Sequence, residues 1–377
     1  MDFDFNDQQL EFQEAFRDFL AHQYTLTQAC ASLEDQNERR RLWSGLADLG
    51  AFSMLVPSDR GGLGLSAVDL ALVLEEFGRA LVPLSVSDTL LATDLISRFG
   101  SSGQKARLFD RIASGQMRIS LAAAETDSFR IGDVAVQASA NGAGWSLSGK
   151  KILVAGGGDA DLIAVVCRLA PAGDLAIALI EPDRTGVSLR RHETLDLTGS
   201  YHELNLSKVV VGPDDLLGRA AGSAAAHQLA DGASAFAALQ MMGIAGKVLD
   251  VAVQYAMNRV QFGKPIGSFQ AIKHRCADMA VSADTGRTAA YYAAWAFAED
   301  AADRGRAAST AKSFCGDAAR FVCNEAIQIH GGMGFTWELG LHNYLRRAKV
   351  LEYAWGDASY HRERVMVETL AAVKVPA

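Results

Sequence analysis

Two segments of the chain carry residues whose types and spacing suit chemistry on a bound anion. The first, Arg259 to His274, reads RVQFGKPIGSFQAIKH. Helical text ends near Arg259, and Gly263, Pro265 and Gly267 turn the chain into the next helix. An arginine at such a corner can offer a planar fork of N–H donors to a pyrophosphate. The same text also suits a plain helix-to-helix turn with a surface arginine. The second, Gln328 to Glu338, reads QIHGGMGFTWE. Gly331, Gly332 and Gly334 would let backbone approach a ligand closely, or would simply cap a helix before a loop.

These segments need elements to hold them. From Asp7 to about Met117, Leu10, Phe12, Phe16, Phe19 and Leu20 recur at helical steps, and Val68, Leu70, Leu72, Val73 and Phe77 make a second helix after a loop marked by Pro57, Gly61, Gly62 and Gly64. The period changes near Arg118. Ile131, Val134 and Val136 precede Trp145 and Leu147, and LIAVVC, AIALIE and ELNLSKVVV follow at strand length, up to a turn at Gly212 and Pro213. Helical spacing then returns through Phe269, Ile272, Cys276, Met279 and Ala283, and again from Ala311 to Ile329. The expected organisation is α+β in three parts: helical 1–117, a small β domain at 118–222, and helical 223–377.

Bulk properties narrow the function. A length of 377 residues exceeds one ordinary core, and 49% hydrophobic with 21% charged residues describes a chain that folds. A net charge of −8 gives no reason to expect nucleic acid. The short run Glu38, Arg39, Arg40, Arg41 reads as a solvated helix face. Cys30, Cys167, Cys276, Cys315 and Cys323 are scattered without CxxC spacing, so neither disulfides nor a metal site is expected and a reducing cytoplasm fits. The start of the chain, with Asp2, Asp4 and Asp7, lacks a secretion pattern. The apolar stretch from Ala220 to Val253 is broken by His227, Asp231, Gln240, Lys247 and Asp250 and reads as a packed helix, not a membrane span.

Taken together, the two segments and the α, β, α order resemble the acyl-CoA dehydrogenase family over essentially the whole chain. Family members carry Arg-x-x-Phe-Gly-x-Pro-Ile-x-x-Phe-Gln and, later, Gln-x-x-Gly-Gly-x-Gly, both matched here without gaps. The resemblance implies a helical amino-terminal domain, a middle β-sandwich or barrel and a carboxyl-terminal four-helix bundle. It also implies an FAD shared across a subunit boundary in a tetramer. By resemblance Arg259 binds the FAD pyrophosphate of a neighbouring subunit, with Gln261 and Phe262 lining it. Gln328, Gly331 and Gly332 meet the adenosine-diphosphate portion.

The residues that such a chain uses for its own flavin are different here. The family's Thr-Glu-x-x-x-Gly-Ser-Asp is replaced by Ala124, Glu125, Thr126, Asp127, Ser128, Phe129, Arg130 and Ile131, so only the glutamate survives. Trp145, Leu147, Gly149 and Lys151 match the next family pattern, but its aromatic-Ile-hydroxyl end reads Leu153, Val154, Ala155. The family's base, a glutamate that removes the α proton while hydride passes to the flavin, falls at Trp355, and the flavin-contacting threonine after it at Asp357. Tryptophan cannot accept that proton. An alternative family position for the base falls at Ala233, with Asp231 about 200° away around a helix. Glu352 and Asp357 are the remaining candidates for a relocated base, though each is more simply an exposed or capping carboxylate.

The positions lent to a neighbour are thus intact and those needed at home are lost. The expectation is a subunit that supports FAD-dependent α,β-dehydrogenation of an acyl-CoA by completing the site of a second, related chain in a heterotetramer. The alternatives are a stand-alone homotetrameric dehydrogenase with a relocated carboxylate, and a non-redox acyl-CoA-binding scaffold. The acyl group is open, with fatty-acid or steroid side chains the analogies available.

Overall fold

The computed structural model describes residues 5–125, 128, 130–142, 144–218 and 222–372. Among these, the helices before the strands are α1 (Asp7–Gln23), α2 (Leu26–Ala31), α3 (Gln36–Asp48), α4 (Ala67–Ala80), α5 (Leu84–Phe99) and α6 (Ser102–Ala113). The strands are β1 (Ile119–Ala122), β2 (Gln137–Asn141), β3 (Gly144–Ala155), β4 (Leu162–Leu169), β5 (Asp174–Ile180), β6 (Val187–His192), β7 (Tyr201–Val211) and β8 (Leu216–Leu217). Next come α7 (Gly222–Asn258), a hairpin of β9 (Val260–Gln261) and β10 (Lys264–Pro265), then α8 (Gln270–Ala298), α9 (Arg304–His330), α10 (Leu341–Tyr353) and α11 (Ala358–Ala372). The order is the expected helices, strands, helices.

Two compact units emerge. One comprises Gln28–Leu70 and Val82–Ala233, the other Met1–Thr27, Ala71–Leu81 and Ser234–Ala377. The first holds one mixed sheet in the order β6-β7-β3-β2-β4-β5-β8, with β1 alongside β4. Contacts of β4 with β1 and β2 are parallel, and the other ladders are antiparallel. Its core is β-branched and aliphatic, from Val136, Leu147 and Val154 through Ile163, Val165 and Cys167 to Leu204 and Val209. Ile131, expected in extended text, lies in a single 3-10 turn, and the sheet runs past the turn at Pro213 to gain β8.

The second unit is helical. Two glycines set its closest crossing: a Cβ on Gly78 would meet the Gln240 carbonyl oxygen at 2.0 Å, and one on Gly243 the Glu75 carbonyl oxygen at 1.9 Å. The backbones of α4 and α7 therefore touch where a side chain would stand. Adjacent buried carboxylates on α4 draw in two further helices. Glu75 accepts from Arg287 and from the Tyr291 hydroxyl at 2.6 Å, while Glu76 accepts from Arg17 at 2.7 Å and Gln13 at 3.0 Å. Buried charges need such partners. The long apolar helix α7 has the length and composition of a membrane span, but 72% of its most apolar window is buried within the protein.

Candidate functional site

The arginine corner is a tight hairpin. Arg259 N–H closes the last turn of α7 on the Tyr255 carbonyl at 2.8 Å, and its own carbonyl accepts from Ile266 N at 2.8 Å. Between the paired Gln261 and Lys264, Phe262 and Gly263 have φ of 53° and 77°. Two left-handed residues are what a two-residue hairpin turn requires, but asparagine or glycine usually fills the first place. A phenylalanine there is a strained choice, and its ring is 92% exposed. Phe269 steadies the tip, meeting Phe262 edge to face and lying under the Lys264 ammonium at 4.5 Å. Arg259 and Gln261 are exposed, and among the described residues the Arg259 guanidinium has no carboxylate partner.

The glycine segment lies beside this corner. At its end α9 hands over to Gly331 (φ 58°, ψ −134°) and a 3-10 turn over Gly331–Phe335. His330 is buried with Nδ1 2.7 Å from the Ala326 carbonyl oxygen, and its ring stacks on Tyr255 with centroids 4.2 Å apart. That stack joins the last turn of α7 to the last turn of α9, so it brings the two sequence motifs together. Gln328 is exposed, and a Cβ built on Gly331 or Gly332 would meet nothing within 4 Å. Open glycine backbone beside an exposed arginine fits a phosphate-bearing ligand.

On β3 the picture is the opposite. Ile152 and Leu153 bulge opposite Glu203, and Leu153 takes a φ of 53° with its aliphatic side chain part-exposed. Val154 and Ala155 are buried, and the Ala155 carbonyl accepts from Ser120 Oγ at 2.7 Å. Neither ring nor hydroxyl is presented at this edge. Glu125 is engaged within the sheet: it accepts from Ala135 N at 2.8 Å, Val136 N at 3.0 Å and Lys151 Nζ at 2.7 Å. The Lys151 side chain is fully buried, and burial pulls its pKa down against the opposing pull of Glu125. Thr126, Asp127 and Phe129 lie outside the described residues.

Trp355, the position at which the family's base is expected, sits on the turn after α10. Trp355 is half-buried with φ 64°, followed by Gly356 at 112°. Asp357 caps α11, its Oδ1 accepting from Tyr360 N at 2.8 Å. Glu352, expected to be exposed or a cap, is neither. It is buried, with Lys349 Nζ at 2.8 Å from one oxygen and Arg320 Nε at 3.4 Å from the other. Both of its oxygens are thus engaged by cations, and neither is turned to open space. Ala233 and Asp231 are both buried in α7, which at that point is enclosed on every side. Sequence reasoning missed Lys312. It is buried in α9, and its Nζ donates to the carbonyls of Glu352 at 2.8 Å and Gly356 at 3.0 Å, pinning the turn that carries Trp355. Burial pushes this lysine down to about 7. The signal available was one lysine in the small-residue run AASTAKSFCG.

Comparison with known proteins is consistent over both ends of the chain. Residues 6–116 match the acyl-CoA dehydrogenase N-terminal domain and residues 221–370 the C-terminal domain. The acyl-CoA dehydrogenase FadE34 of Mycobacterium tuberculosis is 34% identical over 89% of this chain, which spans only 43% of that relative's length. The probable acyl-CoA dehydrogenase YngJ of Bacillus subtilis is 31% identical, over 84% of this chain and 86% of YngJ. Among solved structures, the ChsE4-ChsE5 complex from Mycobacterium tuberculosis superposes with a TM-score of 0.88 at 27% identity, covering all of both chains. With both terminal domains matched and a relative of similar length aligned almost end to end, the chain belongs to the acyl-CoA dehydrogenase family.

Proposed function

We propose that this protein is the flavin-completing subunit of a heteromeric acyl-CoA dehydrogenase, and that the proton-abstracting base comes from a second, related chain. One contrast carries the reading: the corner of Arg259, Gln261, Phe262, Gln328, Gly331 and Gly332 is exposed and open, while the chain's own edge at Leu153–Ala155 and its turn at Trp355 lack every group the reaction needs. In that role Arg259 holds the pyrophosphate of an FAD seated in the partner, and the glycine backbone admits its adenosine-diphosphate portion. When bound, FAD supplies the hydride acceptor for oxidation of an acyl thioester at its α and β carbons. This chain orients the cofactor and shields it from water. That the ChsE4-ChsE5 structure is a complex of two chains supports a heteromer by analogy.

Flavin stoichiometry tests the proposal. The isolated chain should purify colourless, and co-expression with an acyl-CoA dehydrogenase-like chain bearing the glutamate should yield a yellow complex with one flavin per unlike pair. Arg259→Gln should lower flavin affinity of that complex ten-fold or more, the worth of a charge-assisted hydrogen bond of about 1.5–3 kcal/mol. A homomer carrying full flavin that an acyl-CoA reduces would overturn the reading in favour of a stand-alone enzyme.

A further inference from the structure

We infer that the helical unit holds a second site, unconnected with the flavin corner, for a small organic carboxylate with an apolar body. A cavity of about 370 Å³ opens between α1, the end of α4, the last third of α7 and the start of α10. That is the space of roughly a dozen water molecules, at the small end of ligand pockets. Leu20, Tyr24, Val251, Leu339 and Leu341 give it apolar walls.

The charged groups in the wall are mostly cations: Arg17, Arg79 and Lys247, with Glu76 the one carboxylate among them. Glu76 is committed to Arg17 at 2.7 Å, and Arg79 is held by Asp250 at 2.6 Å. Those pairs fix two guanidinium groups and neutralise them. Lys247 remains. It is half-buried, lines the cavity and has no ion-pair partner among the described residues. A second feature has the same sign. α10 begins at the cavity wall with Gly340 as its N-cap, in left-handed conformation and without a capping side chain. The Asn343 amide is taken by the Gly340 carbonyl at 3.0 Å, and the positive end of this 13-residue helix favours an anion there. One spare ammonium, one positive helix end and apolar walls define the ligand as a monoanion with a hydrocarbon body.

The site is separate from the arginine corner. Lys247 precedes Arg259 by 12 positions, roughly 18 Å along α7 at 1.5 Å per residue.

Isothermal titration of the full-length chain with hexanoate is the test, with 1-hexanol and inorganic phosphate as the neutral and the non-apolar probes. Hexanoate should saturate one site per chain, and neither control should compete for it. Lys247→Gln should weaken hexanoate ten-fold or more, as loss of a charged hydrogen-bond partner does. Ala21→Trp, at an exposed position of α1 on the cavity wall, should fill the space and abolish binding while lowering the melting temperature by no more than about 2 °C, the helix-propensity cost of replacing alanine. Flavin content of a co-expressed complex should be the same in both variants, which separates this site from the Arg259 corner. Absence of saturable binding up to about 10 mM, equal binding of phosphate, or binding indifferent to both substitutions would each overturn the assignment.

Discussion

Glu125 looks in sequence like the last remnant of a flavin-binding motif, whereas the structure gives it a task inside the sheet, and the two roles predict different behaviour for Glu125→Ala. The substitution leaves the fully buried Lys151 ammonium with the Ala123 carbonyl at 3.0 Å as its remaining hydrogen-bond partner. Removing one partner of a buried pair costs about 3–5 kcal/mol. An upper limit follows independently, because the lysine can shed its proton. Going from its ordinary value of 10.5 to neutral at pH 7 costs about 4.8 kcal/mol at 1.36 kcal/mol per unit. In the variant the folded-state pKa lies below the unfolded one, so between the two the unfolded chain binds more protons and stability rises with pH. The deficit should shrink by up to about 2.7 kcal/mol from pH 7 to pH 9. Hydrogen exchange of the β3 amides, which report on this sheet alone, measures the deficit at both pH values. Lys151→Met added to Glu125→Ala should recover about 2 kcal/mol or more. A deficit under about 1 kcal/mol, or one that ignores pH, would refute a structural Glu125 and return it to the cofactor.

Three other predictions rest on packing and burial. Gly243→Ala should destabilise by about 3 kcal/mol or more in urea unfolding, since its Cβ would sit 1.9 Å from a backbone oxygen that cannot move aside. Gly332→Ala, with open space at its Cβ, should change stability by less than about 0.5 kcal/mol yet lower the flavin content of the complex. His361 is buried against Ser309, and burial, followed by the Lys312 and Arg364 charges, pushes it down to about 3. Its depressed folded pKa means that the unfolded chain takes up a proton first as pH falls below 6.5, so stability is lost towards acid. Between pH 7.5 and 5.5 this amounts to about 1.4 kcal/mol, and urea midpoints of His361→Gln should lack that part of the acid slope.

Some of the site was legible because it is local. A hairpin needs Gly263 and a helix stop needs Gly331, and these requirements act over a few residues, so RVQFGKPIGSFQ and QIHGGMG announce their backbone geometry in the text itself. The order of helices and strands could be read for the same reason, as the hydrophobic period shifts near 118 and again near 222. What could not be read depends on partners far along the chain. Glu352 reads as a surface carboxylate in LEYAWGD until α9 brings Arg320 beside it. Lys312 and Glu125 acquire their roles from residues 40 to 44 and 26 positions away.

The amino-acid sequence alone determined the family, the turn chemistry of the arginine corner, and that Leu153, Ala155 and Trp355 carry neither hydroxyl nor carboxylate, since these are statements about residue identity at short spacing. Only the tertiary structure decided that Tyr255 and His330 stack to unite the two motifs, that Glu125 belongs to a buried lysine, and that Leu153, Phe262 and Trp355 all stand in left-handed backbone. The physical reason is that ion pairing, burial and strain are properties of atoms placed together in space, and chain separation carries no record of which atoms those are.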